Sequence, residues 1–439
     1  MMWCSCPPPA LPSISIPTTR REGTIFAPCF SGMPRRPPKA ARGVSEVMGV
    51  EREEAATGIG PFGPPERAVD EGPGLWSPSG QIWAVVLMLI AFGILMIWSA
   101  SVSTALRQGG VLSGVPVYPV KQMVFAVAGV GLILFFERFP YRLYMPLSKL
   151  ILLGMMVALS LVWIPGIGVE INRARRWFGI GSFLLQPSEY AKVGWVIYLS
   201  AYLSRKKDRL NRFLSGLLPS LLALVVLCLL LLLEPDFGSC AIITAVSFVL
   251  WTAGGVPWRH LFLFVPLAGA GMAALVIHSP YRLARLMAFL DPWTDPLDSG
   301  YNLIQSLIAV GSGGLWGKGL GAGQQKLFYL PEPFTDFIVA VMAEELGFVG
   351  LLFLTALVMF FFWRGLHVAL KAVDDLGGLL ALGLTFLIVF QAWFNIGVVL
   401  GLFPTKGLTC PFLSYGGSSL TANCIAVGIL LNVARRARA

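Results

Sequence analysis

Apolar segments of membrane-spanning length recur along most of this 439-residue chain. An α-helix needs about 20 predominantly apolar residues to cross a bilayer. About ten segments approach this length: 82–101, 121–136, 147–164, 187–203, 213–233, 238–256, 261–278, 337–363, 377–400 and 417–434. Because 56% of all residues are hydrophobic and only 13% are charged, a soluble protein is excluded. The pattern predicts an all-α integral membrane protein with about ten transmembrane helices.

The positions of Lys and Arg predict the orientation, because short cytoplasmic loops are enriched in these residues. Basic residues follow the second, fourth, eighth and tenth segments: Arg138, Arg142, Lys149, Arg205, Lys206, Lys207, Arg209, Arg212, Arg364, Lys371, Arg435, Arg436 and Arg438. All of them fall on one side of the membrane if both termini are cytoplasmic. The stretch before the eighth span is then a large extracytoplasmic loop.

A smaller set of basic residues falls on the outer side, against this bias. The set contains Arg173, Arg175, Arg176, Arg282, Arg285, Lys318, Lys326 and Lys406. Each one alone is compatible with a long side chain that reaches from a helix end to the membrane surface. Together, facing a polar loop, they favour an anionic ligand such as a lipid that carries phosphate.

Residues 1–80 differ from the rest of the chain, being rich in Pro, Gly, Arg and Glu. Such a segment cannot bury a core, so we expect a disordered cytoplasmic tail. It has no apolar stretch of the signal-peptide kind, and Met33 and Met48 are alternative start positions. Residues 81–439 are expected to form one membrane domain without a soluble module or a nucleic-acid-binding motif.

The outer loop, residues 291–350, contains features that are typical of a binding site at the membrane surface. Irregular backbone is tolerated at membrane depth only where it packs against protein or lines a water-filled cavity. The run GSGGLWGKGLGAG, residues 311–323, lacks the Gly-Lys-Ser/Thr ending of a phosphate loop. We therefore expect a flexible surface loop whose backbone amides are able to meet an anion.

An acid stands where this loop returns to the membrane. Thr335 is a predicted helix cap, and Asp336 falls in the first turn, where an acid usually matches the helix dipole. Glu344 and Glu345 lie two to three turns deeper in an apolar stretch. Because unpaired charges are costly there, at least one of them is expected to meet a cation, with Lys192 as the candidate.

A second ionisable group lies in the stretch RRWFGIGSFLLQPSEYAK, residues 175–192. Pro187 marks a helix start, and Glu189 falls in its first turn. Lys192 is three residues further, so the two charged side chains share a helix face and can pair. A structural ion pair and a site facing a cavity both remain open. The Glu-Pro-Asp turn at 234–236 is interpreted as structural.

The stretch 393–420 combines polar residues in or near spans with a run of small residues. Asn395 lies within a span, Lys406 follows in an outer loop, and SYGGSS opens the last span. These residues suggest close packing with a polar lining. Gly416 and Gly417 are expected to serve helix contact rather than catalysis.

The motifs RRW…QPSE..K, PDFG, GLG…K..YLPE..TDF…EELG and PFLSYGGSS occur in this order. Over residues 80–435 they resemble the SEDS family of membrane glycosyltransferases, which includes FtsW, RodA and SpoVE. The segments GKGLGAGQQKLFYLPE and FPTKGLTCPFLSYGGSS are most similar to the FtsW branch.

The resemblance implies a peptidoglycan glycosyltransferase that polymerises lipid II at the outer face of the cytoplasmic membrane during septum formation. Asp336 matches the family's essential acid and is the expected catalytic base. Expected substrate-binding residues are Glu189, Lys192, Arg175, Arg176, Trp177, Lys318, Lys326, Lys406 and Ser414. Expected structural or pairing residues are Glu344, Glu345, Pro187, Gly416 and Gly417.

The resemblance also implies partners: lipid II, membrane lipid, a class B penicillin-binding transpeptidase and other division proteins, without nucleic acid. No Cys or His spacing is typical of a metal site, so a divalent cation, Mg²⁺ or Mn²⁺, is the one cofactor left open. Alternatives are a lipid II flippase, a RodA-like elongation polymerase and a scaffold for the transpeptidase. A transporter should place polar groups near the midplane, whereas the charged motifs here gather at the outer ends of spans.

Overall fold

The computed structural model describes residues 77–108, 111–112, 115–164, 166–171, 174–180, 183–327, 329–331, 333–405 and 407–437. The predicted disordered tail, apart from residues 77–80, lies outside the described residues. The first helix begins at Pro78, so the last residues assigned to the tail belong to the helical part of the chain.

Twelve α-helices account for most of the described residues. They are α1 (Pro78–Gln108), α2 (Val117–Arg138), α3 (Tyr144–Leu161), α4 (Pro187–Lys206), α5 (Leu218–Leu233), α6 (Phe237–Ala253), α7 (Trp258–Ile277), α8 (Pro280–Leu290), α9 (Tyr301–Gly313), α10 (Ile338–Leu370), α11 (Asp375–Val399) and α12 (Gly417–Arg436). Ten of them coincide with the apolar segments, while α8 and α9 lie between the seventh and eighth segments.

Seven helical segments of the described chain are long and apolar enough to cross a membrane. They are Pro78–Ser101, Val117–Arg138, Tyr141–Leu161, Phe213–Leu233, Ile338–Leu370, Asp375–Val399 and Gly417–Arg436. A mostly helical, multi-pass membrane protein is thereby confirmed. The count of ten spans and the cytoplasmic position of both termini remain predictions.

Local sequence signals account for several helix starts. The Asp236 side chain accepts a hydrogen bond from the Ser239 N–H at the start of α6, and Asp374 accepts one from Gly377 at the start of α11. Pro187 occupies the first position of α4, where its missing N–H removes no helical hydrogen bond. The predicted start at Pro187 is confirmed.

Helix α10 is longer than a membrane crossing and is interrupted near its N-terminal end. Its 33 residues would extend about 50 Å, against a hydrocarbon core of about 30 Å. Gly347, with φ 68° and ψ −161°, breaks the helical path. The part after this glycine is long enough to cross the bilayer alone, so the segment with Glu344 and Glu345 is not needed for the crossing.

Two small antiparallel sheets accompany the helices and were not predicted. Strands β1 (Val111–Leu112) and β2 (Val115–Pro116) form one sheet; β3 (Gly168–Ile171), β4 (Ala174–Ile180) and β5 (Phe183–Leu185) form the other, in the order β3-β4-β5. The second sheet carries the RRW motif. Its strands are only three to seven residues long and have no extended alternation of apolar and polar residues, so they carry no strong strand signal.

The last two helices form the centre of the bundle. Of the most apolar stretch of each helix, 67% of the residues in α11 and 78% in α12 are buried, whereas only 22% in α3 are buried. Helix α12 packs against α2, α4 and α11, and α10 packs against α1, α9 and α11. The loop before α10 and the loop between α11 and α12 also meet, since the Tyr415 N–H donates to the Phe334 carbonyl, and this brings predicted site residues together.

Candidate functional site

Asp336 lies where the outer loop meets α10, and its side chain is half-buried. The cap position of α10 is Phe337 rather than the predicted Thr335, so Asp336 precedes the helix instead of lying in its first turn. Asn395 of α11 donates a hydrogen bond of 2.9 Å to the Asp336 carbonyl. A Cβ added at Gly407 would lie 2.9 Å from Asp336 Oδ2. The carboxylate therefore rests directly against the backbone at Gly407.

Two side chains of α11 hold the loop that carries Gly407. Gln391 and Asn395 are four residues apart and so share a helix face. Asn395 donates to the Leu408 carbonyl, and Gln391 Nε2 donates to the Thr409 carbonyl over 3.0 Å. Gln391 was not predicted as a site residue, although a glutamine inside a span, one turn from Asn395, was a signal for it.

Glu189 and Lys192 form a buried ion pair on α4. Lys192 Nζ lies 2.9 Å from Glu189 Oε1 and 3.0 Å from Gln391 Oε1, and its side chain is 2% exposed. The predicted pairing is confirmed. Through Gln391 the pair is connected to the loop beside Asp336, so it supports the site from within the bundle. Contact of either residue with substrate stays a prediction.

The RRW motif lies on β4 and reaches the turn between α5 and α6. Arg176 Nε and Nη2 donate to two consecutive carbonyls of that turn at 2.7 and 2.8 Å. Arg175 forms a solvent-exposed pair with Glu170 at 3.1 Å, and Trp177 is half-buried. Arg176 therefore has a structural role in the described geometry, and substrate contact by Arg175, Arg176 and Trp177 stays a prediction.

Arg285 of α8 lies at the loop between α11 and α12, because its Nη1 donates to the Thr405 carbonyl over 3.3 Å. The predicted ligand Lys406 is the next residue along this loop but lies outside the described residues. Arg285 was one of the outer cations, yet nothing in the sequence singled it out. Its position depends on how α8 folds back onto the loop.

Glu344 and Glu345 both meet cations. Lys318 Nζ lies 2.8 Å from Glu344 Oε1, and Lys326 Nζ lies 2.6 Å from Glu345 Oε1. The predicted pairing of an intramembrane acid with a cation is confirmed, but Lys192 as the partner is wrong. Both lysines that were predicted as substrate ligands are instead engaged with carboxylates of α10.

Gly417, the first residue of α12, packs closely against a neighbouring helix, as predicted. A Cβ at this position would clash with the Phe125 ring, so a larger residue would require this ring to move. Gly416 occupies the cap position of the helix. The buried Ser414 hydroxyl accepts a hydrogen bond of 2.8 Å from the Cys410 N–H. This bond gives Ser414 a place in the fold of the loop, and its contact with substrate stays a prediction.

The turn held by Arg176 contains a buried carboxyl group. Glu234 is fully buried, and neither of its carboxylate oxygens has a hydrogen-bond partner among the described residues. Burial, assisted by the nearby Asp236 charge, raises the pKa of Glu234 to about 8, and Arg176 acts in the opposite direction. Asp236 caps α6, which agrees with the structural interpretation of this turn.

No three His, Cys, Asp or Glu side chains of the described residues are grouped as a metal site would require. Mg²⁺ is commonly bound through one or two carboxylates together with substrate phosphates. A divalent cation therefore stays a prediction, and its ligands are unknown.

Comparisons with known proteins agree with the motifs. Residues 80–439 match the family model for FtsW, RodA and SpoVE, described as "Cell cycle protein". The chain is 41% identical over 363 residues to stage V sporulation protein E of Bacillus subtilis, covering 82% of this chain and 98% of that protein. It is 44% identical over 358 residues to a probable peptidoglycan glycosyltransferase FtsW of Thioalkalivibrio sulfidiphilus, covering 80% and 88%.

A solved structure has a similar fold. It is described as showing structural coordination of polymerization and crosslinking by a peptidoglycan synthase complex. The TM-score is 0.66 at 29% identity, and the match covers 81% of this chain and 97% of that chain. The similarity therefore extends over nearly the whole helical part described above.

Proposed function

Because the chain belongs to the FtsW, RodA and SpoVE family of cell cycle proteins, we propose that it is a peptidoglycan glycosyltransferase. It polymerises lipid II, a disaccharide-peptide linked to undecaprenyl pyrophosphate, at the outer face of the cytoplasmic membrane. Relatives that are named as FtsW glycosyltransferases support this activity. The observation that carries the proposal is the half-buried Asp336 carboxylate, set against Gly407 where the outer loops meet.

The chemistry needs one base and several positive charges. The 4-hydroxyl oxygen of one sugar attacks C1 of the next and loses its proton. The C1–O bond breaks, its electron pair leaves with undecaprenyl pyrophosphate, and attack from the opposite face inverts C1. Pyrophosphate leaves readily without a general acid, whereas glycoside hydrolysis typically uses two carboxyl groups.

Asp336 takes the proton of the acceptor hydroxyl. A base that is positioned for proton transfer contributes about 10²- to 10⁴-fold to the rate. The Asn395 bond to the Asp336 carbonyl and the contact with Gly407 hold the carboxylate in one place. Such fixed placement of the catalytic group is itself a source of rate acceleration.

Arg285 and Lys406 stabilise the leaving pyrophosphate. Fixed cations that face a developing negative charge lower the barrier because they need no reorganisation during the reaction. Arg285 of α8 donates to the Thr405 carbonyl, so its guanidinium lies at the loop beside Asp336, and Lys406 follows Thr405 in the sequence. Arg175 is a further candidate, and a bound Mg²⁺ or Mn²⁺ would add positive charge at the phosphates.

The chain works with a crosslinking partner during division. The partner is a class B penicillin-binding transpeptidase, and the site of action is the septum together with other division proteins. The similarity to a complex described by polymerization and crosslinking supports the partnership. The FtsW-like segments around Lys318 and Lys406 favour septal synthesis over elongation.

Purified protein with its cognate transpeptidase partner, fluorescent lipid II and Mg²⁺ tests this function. We expect glycan strands on gels and release of undecaprenyl pyrophosphate in equal measure. Vesicles carrying the same protein measure lipid II movement across the bilayer in parallel. Movement of lipid II without formation of glycan strands would indicate a flippase instead of a polymerase. Absence of both activities would favour a scaffold for the transpeptidase.

A further inference from the structure

The loop that follows α9, residues 314–326 and here called the glycine loop, is inserted into the hydrogen-bond ladder of α10. At the break in that helix, the carbonyls of Glu344 and Glu345 accept hydrogen bonds from the backbone N–H groups of Lys318 and Gly319, at 3.0 and 2.9 Å. In a continuous helix these carbonyls would accept from the N–H groups of Phe348 and Val349, four positions later. The Phe348 and Val349 N–H groups bond instead to the carbonyls of Gly314 and Leu315 in the glycine loop.

The Glu344 carboxylate is surrounded by donors from the glycine loop. Lys318 Nζ lies 2.8 Å from Oε1, the Gln324 N–H donates to the same oxygen at 2.9 Å, and the Gln325 N–H donates to Oε2 at 3.0 Å. The carboxylate is fully buried. The glycine loop therefore does bind an anion through backbone amides, as predicted, but the anion belongs to the protein itself.

The Glu345 carboxylate joins the same loop to α1. Lys326 Nζ lies 2.6 Å from Oε1, Ser99 Oγ lies 2.7 Å from Oε2, and the Gly321 N–H donates to Oε2 at 3.1 Å. This carboxylate is also fully buried. The predicted flexible surface loop is thus anchored to two helices by its own lysines and amides.

These contacts leave the two lysines poorly placed to bind a phosphate. The Lys326 side chain is only 7% exposed, and that of Lys318 is 31% exposed. If either lysine turned towards a phosphate, it would leave a buried carboxylate without its counter-charge, which is strongly unfavourable. Both lysine charges are already paired with buried carboxylates of α10.

The glycine loop leads directly to Asp336. Between Lys326 and Asp336 the chain is fixed once more, where the Tyr415 N–H donates to the carbonyl of the buried Phe334 over 2.9 Å. The connecting segment is therefore held at its beginning by the Lys326 ion pair and near its end by the loop before α12. Asp336 lies ten residues after Lys326, so a glycine loop that lost its anchors would release one of the two ends of this segment.

We propose that Lys318 and Lys326 are positioning residues, which act through Glu344 and Glu345 to hold the segment that carries Asp336. They are not ligands of the pyrophosphate. The consequence for catalysis rests on the proposed polymerase function, whereas the anchoring of the loop does not.

The test compares single and double neutral variants. Lys326→Met leaves Glu345 charged and buried, so the glycine loop is expected to detach and lipid II polymerisation to fall by about 100-fold, since small misplacements of a catalytic group cost that much. Lys326→Met with Glu345→Gln removes both charges, and because a neutral replacement of a buried pair is often tolerated, kcat should return to within about threefold of wild type. KM for lipid II should stay constant through the series.

A pyrophosphate ligand would behave differently. The double variant would then be as slow as Lys326→Met, with a raised KM, and that result would overturn the proposal. Lys318→Met, alone and with Glu344→Gln, repeats the comparison at the second pair. Lys207→Met, in an exposed pair with Asp375 on another loop, is the matched lysine control and should leave kcat and KM unchanged.

Hydrogen exchange of the glycine loop separates this inference from the proposed function, since it needs no enzymatic turnover. Backbone amides of residues 317–326 should exchange faster in Lys326→Met and return towards wild-type protection in the double variant. Unchanged protection in a folded Lys326→Met protein would refute the anchoring, whatever the enzyme assay shows. Size-exclusion profiles and exchange elsewhere in the bundle identify a variant that has merely failed to fold.

Discussion

The two buried acid–lysine regions of this protein are built in opposite ways. Glu189 and Lys192 are three residues apart on one helix and need only that helix to pair. Glu344 and Glu345 take their lysines from 26 and 19 residues earlier in the chain. The first region is assembled by local geometry, the second by closing a loop against a broken helix.

The two regions also support Asp336 from different elements of the fold. The Glu189–Lys192 pair is buried on α4 and reaches the site through Gln391 and the loop at residues 407–409. The glycine loop precedes the segment that carries Asp336. Breaking a pair in either region leaves a buried charge and should lower stability, but breaking one in the second region should in addition detach the glycine loop and lower turnover.

The largest expected effect is that of Lys192→Met. It leaves the Glu189 carboxylate buried without a counter-charge, which should lower the free energy of unfolding by about 3–5 kcal/mol. Thermal unfolding in detergent measures this loss. Adding Glu189→Gln should recover most of it, and equal stability of the single and double variants would show that the pair is not the source.

Gly407→Ala should affect turnover more than stability. The new Cβ would lie 2.9 Å from Asp336 Oδ2, so the carboxylate must shift, and a displacement of this kind costs about 100-fold in rate. Gly131→Ala, where nothing lies within 4 Å of the new Cβ, is the matched control. Wild-type polymerisation by the Gly407 variant would mean that Asp336 is not held against this loop.

Glu234→Gln should change the dependence of stability on pH. The folded-state pKa is raised to about 8 from 4.5, so as pH rises between these values the unfolded chain loses its proton first and wild-type stability falls. The glutamine does not titrate, and one pKa unit corresponds to about 1.4 kcal/mol, so the variant should be more stable than wild type by about 2 kcal/mol at pH 6 and by more at pH 8. Unfolding free energies of wild type and Glu234→Gln are measured from pH 4.5 to 8. A constant difference between the two proteins over this range would contradict the raised pKa.

The smallest effect is expected at the exposed pair of Lys207 and Asp375, whose side chains are 64% and 52% exposed. Water and salt screen such a pair, so Lys207→Met should change the free energy of unfolding by less than about 1 kcal/mol. Denaturation of this variant beside Lys192→Met measures the contrast between exposed and buried pairs directly. A loss as large as that of Lys192→Met would mean that burial does not explain the difference.

The contrast between local pairing and pairing across a loop also explains which features could be predicted from the sequence. Ten helices and the Glu189–Lys192 pair could be predicted, because the helices depend on the length of one apolar run and the pair on a three-residue spacing within one helix. The partners of Glu344 and Glu345 could not, because they depend on the break at Gly347 and on loop closure over about 20 residues. The strand that carries Arg176 and the hydrogen bonds of Gln391 were missed for the same reason, since each is set by packing between distant segments.

The most direct test of the proposed mechanism is single-turnover polymerisation of lipid II by wild type and Asp336→Asn, each with its transpeptidase partner. Asparagine keeps the shape of the side chain and removes the base, so turnover should fall by about 10²- to 10⁴-fold while binding of lipid II is retained. Full turnover by Asp336→Asn in a folded protein would contradict the role of Asp336 as the base.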